Sequence, residues 1–293
     1  MSVTKPSAIE VKVDSSKLSL TAYKDLLSVT VELDVDALSM FTLEMRSPGE
    51  EMNMTSWSDA DLFAPGSTVE VKLGTIGDLA TVIKGEVTGM ELEADGAEGQ
   101  RLTVRGYDKG HRQLRSTKIR SFVSMTAGAI AKQVASENSL TPSVTDTSVT
   151  HDYVLQDSES DFDFLRRLAR MFGYVVYIDD TTLYFGPRKF SESAAVTLSR
   201  GAEISAFNLN LSTQGLPGEL IVRGWDYTKK EAITGSAAAS KVANMGTTLG
   251  LSKAESAFGT AVVTLVNVAV ATADAAAAIA LAKLSEASLD YIQ

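Results

Sequence analysis

The sequence predicts a mainly β, α+β protein: two related β-barrel domains, a small helical insertion between them, and an Ala-rich C-terminal helix. Three observations predict it. Apolar residues recur with period two between Ile9 and Tyr107, the spacing of half-buried strands. Leu102-Thr-Val-Arg-Gly-Tyr-Asp108 and Leu220-Ile-Val-Arg-Gly-Trp-Asp226 agree at five of seven positions, and each closes a run of strand-like sequence. Between these copies the period changes to that of helices.

The first barrel is expected over residues 1–107. Leu27-Ser-Val-Thr-Val-Glu-Leu-Asp-Val35 alternates without a fault, as do Ile9, Val11 and Val13, and then Val69, Val71 and Leu73. Met40 to Met45 reads as a further strand. Pro48-Gly49 and Pro65-Gly66 punctuate, and Asp95-Gly96 with Gly99 marks a hairpin tip between Val87–Leu92 and Leu102–Tyr107. About six or seven strands with turns between them fit a barrel or sandwich.

Residues 108–172 read as a mixed insertion of two helices with little strand of its own. Thr126 caps a helix to about Ser136 that carries Ala127, Ile130, Ala131 and Val134 on one face. The second helix is over-determined at its start. Ser160 with Asp163, and Ser158 with Asp161, both offer a capping arrangement, and Phe162, Leu165, Leu168, Ala169 and Phe172 share a stripe opposite Asp163, Arg166, Arg167 and Arg170. Gly173 ends that helix, and Tyr174 to Ile178 opens the second barrel, residues 173–293. Within it Leu183 to Phe185, Phe207 to Leu211 and Leu220 to Trp225 read as strands. Residues 235–256, rich in Gly, Ala and Ser, read as a mobile loop; Val262 to Val270 reads as a buried strand, and Thr272 to Leu289 as a strong helix.

Composition removes several function classes. There are no cysteines, so disulfides, thiolate metal sites and cysteine nucleophiles are excluded. A net charge of −10 argues against a nucleic-acid binder. The start, Met1-Ser-Val-Thr-Lys-Pro6, lacks a basic region leading into an apolar one, so no signal peptide is expected. The uncharged window Ala257–Ala273 is too short and too weakly apolar for a membrane span.

Candidate chemistry is sparse. Asp157, Glu159, Asp161 and Asp163 are spaced like a calcium loop, but an EF-hand would need Gly and Glu where Phe162 and Leu168 stand, so these acids read as capping and solvated charge. His111 and His151 fall in no metal-ligand spacing, and no G-x-S-x-G elbow supports a nucleophile. No glycine pattern for nucleotide phosphates precedes a helix. No catalytic, cofactor or metal residue is therefore assigned. The one basic concentration, Lys109, Arg112, Arg115, Lys118 and Arg120, reads either as a solvated loop or as a contact to an acidic neighbouring subunit.

The run Glu159-Ser-Asp-Phe-Asp-Phe-Leu-Arg-Arg-Leu168, followed by Gly173 and an aromatic-rich strand, resembles the signature of the phage late-control D group. Its signature positions here are Glu159, Asp161, Phe162, Phe164, Leu165 and Leu168. That group contains tail hubs of long-tailed phages and the hub portion of valine-glycine-repeat, VgrG-like spikes of type VI secretion and extracellular contractile injection systems. The resemblance implies a structural, non-enzymatic baseplate hub: a homotrimer whose six barrels form a ring, accepting a hexameric tube protein on one side and a three-fold spike or spike-tip protein on the other, among other baseplate proteins. It implies no cofactor, and a place in a phage tail or tail-like particle made in the bacterial cytoplasm. The family's run continues past the last helix with strands that complete the second barrel, so truncation or completion by partners is expected. Two other classes stand beside it: a β-rich glycan hydrolase using carboxylates such as Asp161 or Asp179, and an acidic surface adhesin.

Overall fold

Alternating apolar residues build the N-terminal sheet from β1 (Ser7–Val13), β2 (Ser16–Lys17), β3 (Leu26–Glu32), β4 (Met40–Ser47), β5 (Thr68–Thr75), β6 (Asp78–Asp95) and β7 (Gly99–Tyr107), with helix α1 (Leu20–Asp25) between β2 and β3. The computed structural model describes residues 6–291 except 36, 48–56, 58–60, 96–98, 148, 189–196, 200, 202, 203, 205, 244–248, 267 and 269. The expected turn at Pro48-Gly49 and the Gly96 hairpin tip lie outside the described residues. Strand order is β2-β1-β5-β6-β7-β4-β3, antiparallel throughout. Register shifts at Val71/Lys72 and Val87/Gly89 bend the long strand β6. The sheet rolls until Val11 and Val13 at one end share a core with Phe41, Leu43 and Met45 near the other. Tyr23 of α1 stitches the roll, its hydroxyl accepting from the Val11 backbone N–H at 2.7 Å.

The strand expected at 27–35 ends at Glu32, and Leu33 and Val35 beyond it are exposed. Helix α1 was not legible: six residues are too few for a periodic signal, and its capping Ser19 accepts from the Ala22 N–H at 3.2 Å.

The middle unit comprises α2 (His111–Leu114), β8 (Thr117–Thr126), α3 (Ala127–Glu137), β9 (Thr141–Val144), β10 (Thr150–Ser160), α4 (Asp161–Met171), β11 (Tyr174–Asp179) and β12 (Thr182–Pro187). β8 and β10 form an antiparallel ribbon; β11, β12 and β9 form a sheet in that order, with β9 parallel to β12. Both helices start where the caps indicate: Thr126 accepts from the Ala129 N–H at 3.1 Å and Ser160 from the Asp163 N–H at 3.1 Å. Their inner faces, with Ile130, Val134, Phe164, Leu165 and Leu168, join Phe122, Val176, Leu183 and Phe185 in one core.

Two expectations change here. The insertion holds substantial strand, and the strands from 174 to 187 pack in its core rather than beginning the C-terminal unit. The reason is pairing at long sequence range: β12 lies beside β9, about 40 residues back, and no local pattern announces that partner.

The C-terminal unit has a sheet of order β14-β13-β15, from β13 (Glu219–Asp226), β14 (Glu231–Ala238) and β15 (Val262–Leu265), with helices α5 (Gly250–Phe258) and α6 (Ala273–Ser288). Residues 235–256 are thus not one loop: their ends belong to β14 and α5. Val262 and Val263 are 52% and 41% exposed, so β15 is an exposed edge strand instead of a buried one. Phe207, Leu209 and Leu211 alternate but are exposed, and residues 206–210 have no strand pairing. Helix α6, capped by Thr272, lies directly on β14, and its small side chains permit that approach.

A Cβ on Gly235 of β14 would stand 2.2 Å from the Ala277 backbone N of α6, and one on Gly89 would meet nothing within 4 Å. Gly235→Ala should therefore force the helix away and cost about 1–3 kcal/mol. Gly89→Ala should stay within about 0.5 kcal/mol. Urea-denaturation midpoints of the two variants measure the contrast.

Candidate functional site

The carboxylate of Asp161, at the first position of α4, is buried. Four donors converge on it: Lys118 Nζ at 2.6 Å, Arg120 Nη2 at 2.9 Å, Asn138 Nδ2 at 2.9 Å and Gln156 Nε2 at 3.0 Å. They come from three elements: two from β8, one from the end of α3 and one from β10. Arg120 also donates to Gln156 Oε1 at 2.7 Å, pairs with Glu137 and lies 5.0 Å over the Phe122 ring, which stacks on Phe164 at 5.5 Å. Burial raises the Asp161 pKa, but the Lys118, Asn138 and Gln156 hydrogen bonds outweigh it and hold the group below the usual carboxylate range.

The other signature residues complete the same body. Glu159 pairs with Arg167 at 2.8 Å, and the Arg167 guanidinium reaches the Leu155 carbonyl at 2.7 Å while lying 5.3 Å from the Phe164 ring centre. Phe162, Phe164, Leu165 and Leu168 are all buried. Asp161 is therefore neither a solvated charge nor a proton donor: two cations keep it ionised and out of water, which removes it as the acid of a glycan hydrolase. The alternative cap from Ser158 to Asp161 is not used.

The expected basic cluster divides. Lys118 and Arg120 serve Asp161. Arg112 grips buried Glu86 of β6 through Nε at 2.7 Å and Nη2 at 2.8 Å, with His111 Nε2 at 2.8 Å on the same carboxylate. Lys109 and Lys84 both reach Asp180, at 3.4 and 2.8 Å. Arg115 is exposed and has no ion pair among the described residues. Arg112 on Glu86, with Lys84 on Asp180, thus joins the first barrel to the middle unit, while Lys109, Lys118 and Arg120 pair inside the middle unit.

The two copies of the repeat do the same local work. Leu102 and Val104 are buried, as are Leu220 and Val222, while Arg105 and Arg223 face out. A Cβ on Gly106 would strike the Phe41 ring at 2.3 Å, and one on Gly224 would strike Val270 Cγ2 at 2.4 Å, so in both strands a neighbour occupies the glycine's missing side chain. Each copy ends in an aspartate turn: Asp108 accepts from the Gly110 N–H at 2.7 Å, Asp226 from the Thr228 N–H at 2.8 Å. The surroundings differ, because β7 has two antiparallel neighbours and β13 has one antiparallel and one parallel.

The ribbon of β8 and β10 is inverted in polarity. Lys118, Arg120, Phe122, Val154 and Gln156 point inward, and Ile119, Val123, Tyr153 and Leu155 stand outward, 74%, 63%, 60% and 38% exposed. Gln156, the fully buried glutamine, was missed by sequence reading; its place on the same face as Val154 was the available signal. Among the described residues no group of three or more His, Asp or Glu is placed to hold a metal, and no helix is long and apolar enough to cross a membrane. His151 is half-buried against Phe172, ring centres 5.9 Å apart, and its partial burial lowers its pKa.

The fold recurs in solved tail proteins. The tail protein of Neisseria meningitidis MC58 matches with a TM-score of 0.65 at 14% identity, over 98% of this chain and 78% of that one. The 43 kDa tail protein of prophage MuSo2 from Shewanella oneidensis matches at 0.62 and 18%, over 93% and 76%. The Francisella PdpA–VgrG complex matches at 0.51 and 9%, over 90% of this chain and 44% of that one. The architecture is thus that of phage tail proteins, at the level of fold. No curated protein sequence matches. Residues 4–293 match the family described as the Alg8 N-terminal domain, and the chain belongs to that family. The family matched is thus not the late-control D group, and what the chain shares with the solved tail proteins is the fold.

Asp161→Ala should leave Lys118 and Arg120 facing an empty site and cost about 3–5 kcal/mol, against less than about 0.5 kcal/mol for Arg115→Ala. The Asp161 pKa is depressed by folding, so its contribution is complete above the ordinary carboxylate range and drains as pH falls through the folded value. Denaturant titrations of wild type and Asp161→Asn from neutral to acid pH should converge as the pH falls.

Proposed function

We propose that this chain is the structural hub of the baseplate in a contractile, phage-tail-like injection particle, a homotrimer that adapts a hexameric tube protein to a three-fold spike. The observation that carries this reading is the repeat. Two β units on one polypeptide use the same strand, the same glycine under a packed neighbour and the same closing aspartate turn, so three chains offer six kindred surfaces to a six-fold partner. The division we favour is a first barrel at 1–107, a middle unit extending to about 187, and a second, open β unit around β13.

The surfaces support assembly rather than catalysis. Ile119, Val123, Tyr153 and Leu155 present an apolar face outward where an isolated ribbon would present polar groups. The exposed edge of β15 and the apolar residues Phe207 and Leu209, which are exposed and have no strand pairing, leave the second unit open to strands from a neighbour. The residues of the late-control D resemblance fall on the end of β10 and on α4, where Asp161 is the carboxylate held by the clamp and Phe162, Phe164, Leu165 and Leu168 pack in the core, a scaffolding role. The role is mechanical, in a tail or tail-like particle, with tube, spike and other baseplate proteins as partners.

Sedimentation equilibrium of the full chain at high micromolar concentration should report three protomers, and electron microscopy a three-fold ring with a channel. Val123→Asp, on the outer face and away from the core, should shift the mass toward the monomer with an unchanged circular dichroism melt. A wild-type chain that stays monomeric and does not bind tube protein sinks the reading.

A further inference from the structure

Lys118 Nζ and Asn138 Nδ2 meet the same oxygen, Asp161 Oδ2, at 2.6 and 2.9 Å. Two nitrogens on one oxygen are near neighbours. In the chain they are far apart, one near the start of β8 and the other on the residue that caps the end of α3. Asn138 Nδ2 makes a second bond, to the Val134 carbonyl at 2.9 Å, so its amide plane is fixed. Asp161 is fixed too: Arg120 and Gln156 hold its other oxygen at 2.9 and 3.0 Å.

The geometry points to an intramolecular amide bond between Lys118 Nζ and Asn138 Cγ, formed with loss of ammonia. An amine that attacks a side-chain amide must give up protons, and the departing nitrogen must gain them. Asp161 Oδ2 touches both nitrogens. It takes a proton from the Lys118 ammonium, the freed amine adds to Cγ of Asn138, and the Cγ–Nδ2 bond breaks. Two protons leave Nζ by way of this oxygen, and Nδ2 departs with both as ammonium. Nothing is oxidised or reduced, and the carboxylate is regenerated.

Lys118 enters as an ammonium paired with Asp161, so the step is slow and its product accumulates after folding. Holding both partners on one oxygen is what favours it over the same reaction between free side chains. The product keeps one N–H on Nζ for Asp161, and Arg120 remains as the cation on the other oxygen. The link closes residues 118–138 into a covalent ring and staples β8 to the end of α3. It does not depend on the trimer proposed above.

Intact-mass spectrometry of the full chain tests this, on freshly purified protein and on protein held for several weeks at mildly alkaline pH. The aged chain should be lighter by one ammonia, about 17 Da. Trypsin should release Ser116–Arg120, uncut at Lys118, joined to Gln133–Arg166. Lys118→Arg, which keeps a cation beside Asp161, and Asn138→Ala should each abolish the joined peptide while thermal melts confirm folding. Asp161→Asn leaves both reacting side chains in place and should slow the reaction at least about ten-fold. An unchanged mass after ageing overturns the inference, as does hydrolysis of Asn138 without a link. So does an ammonia loss that maps to a succinimide, a loss of water that joins Lys118 to Asp161, or a link that forms equally fast in Asp161→Asn.

Discussion

A single buried charge organises the centre of this protein. Removing a carboxylate from water costs several kcal/mol even after relaxation, and the attraction of one cation seldom recovers it. Asp161 is held by Lys118, Arg120, Asn138 and Gln156 together, so the charge is tolerable only while β8, β10, the end of α3 and the start of α4 keep their places. Deleting Asp161 does not loosen one contact; it leaves the charges of Lys118 and Arg120 on β8 facing no carboxylate and takes an acceptor from the amides of Asn138 and Gln156. Hydrophobic packing of Phe122 on Phe164 and of Leu165 and Leu168 supplies the bulk of the cohesion, and the ion cluster selects which packing is allowed.

That division of labour explains the inverted ribbon. Once Lys118, Arg120 and Gln156 must face inward to meet Asp161, strict alternation along β8 and β10 sends Ile119, Val123, Tyr153 and Leu155 to the outside. A monomer gains nothing from that arrangement. The apolar outer face is the geometric consequence of a polar inner one, and it becomes favourable only when another surface covers it.

What was legible in the sequence follows the same physics. Helices α3, α4 and α6 announce themselves through capping residues and spacing, because both act within a few residues. The first barrel announces itself because each strand buries one face of a two-residue period. Three features stayed hidden. β8 and β10 violate the usual rule that apolar side chains face the core, β9 and β12 pair at long range, and Asp161 looks like any acid in a helix's first turn. The apolar run after Val262 misled in the opposite way: continuous apolarity reads as burial, yet β15 lies at an open edge. Two of these departures, the outer face of β8 and β10 and the edge at β15, lie on exposed surface, and the other two, the β9–β12 pairing and Asp161, lie in the core of the middle unit.

The use of charge bears on how such an assembly would hold together. Of the concentrated cations, Arg112 is consumed between the first barrel and the middle unit, where Lys84 also reaches Asp180, and Lys109, Lys118 and Arg120 are consumed inside the middle unit. These pairs make the two units one piece. They also leave little positive charge for attracting a like copy, and copies of an acidic chain repel one another at long range. In the proposed homotrimer, association between copies would then rest on apolar faces and strand edges, contacts with no long-range steering and weak salt dependence. The proposed mechanical role would benefit from that choice. Strand pairing and apolar burial transmit load through many short-range contacts, whereas exposed ion pairs contribute little each and weaken with ionic strength.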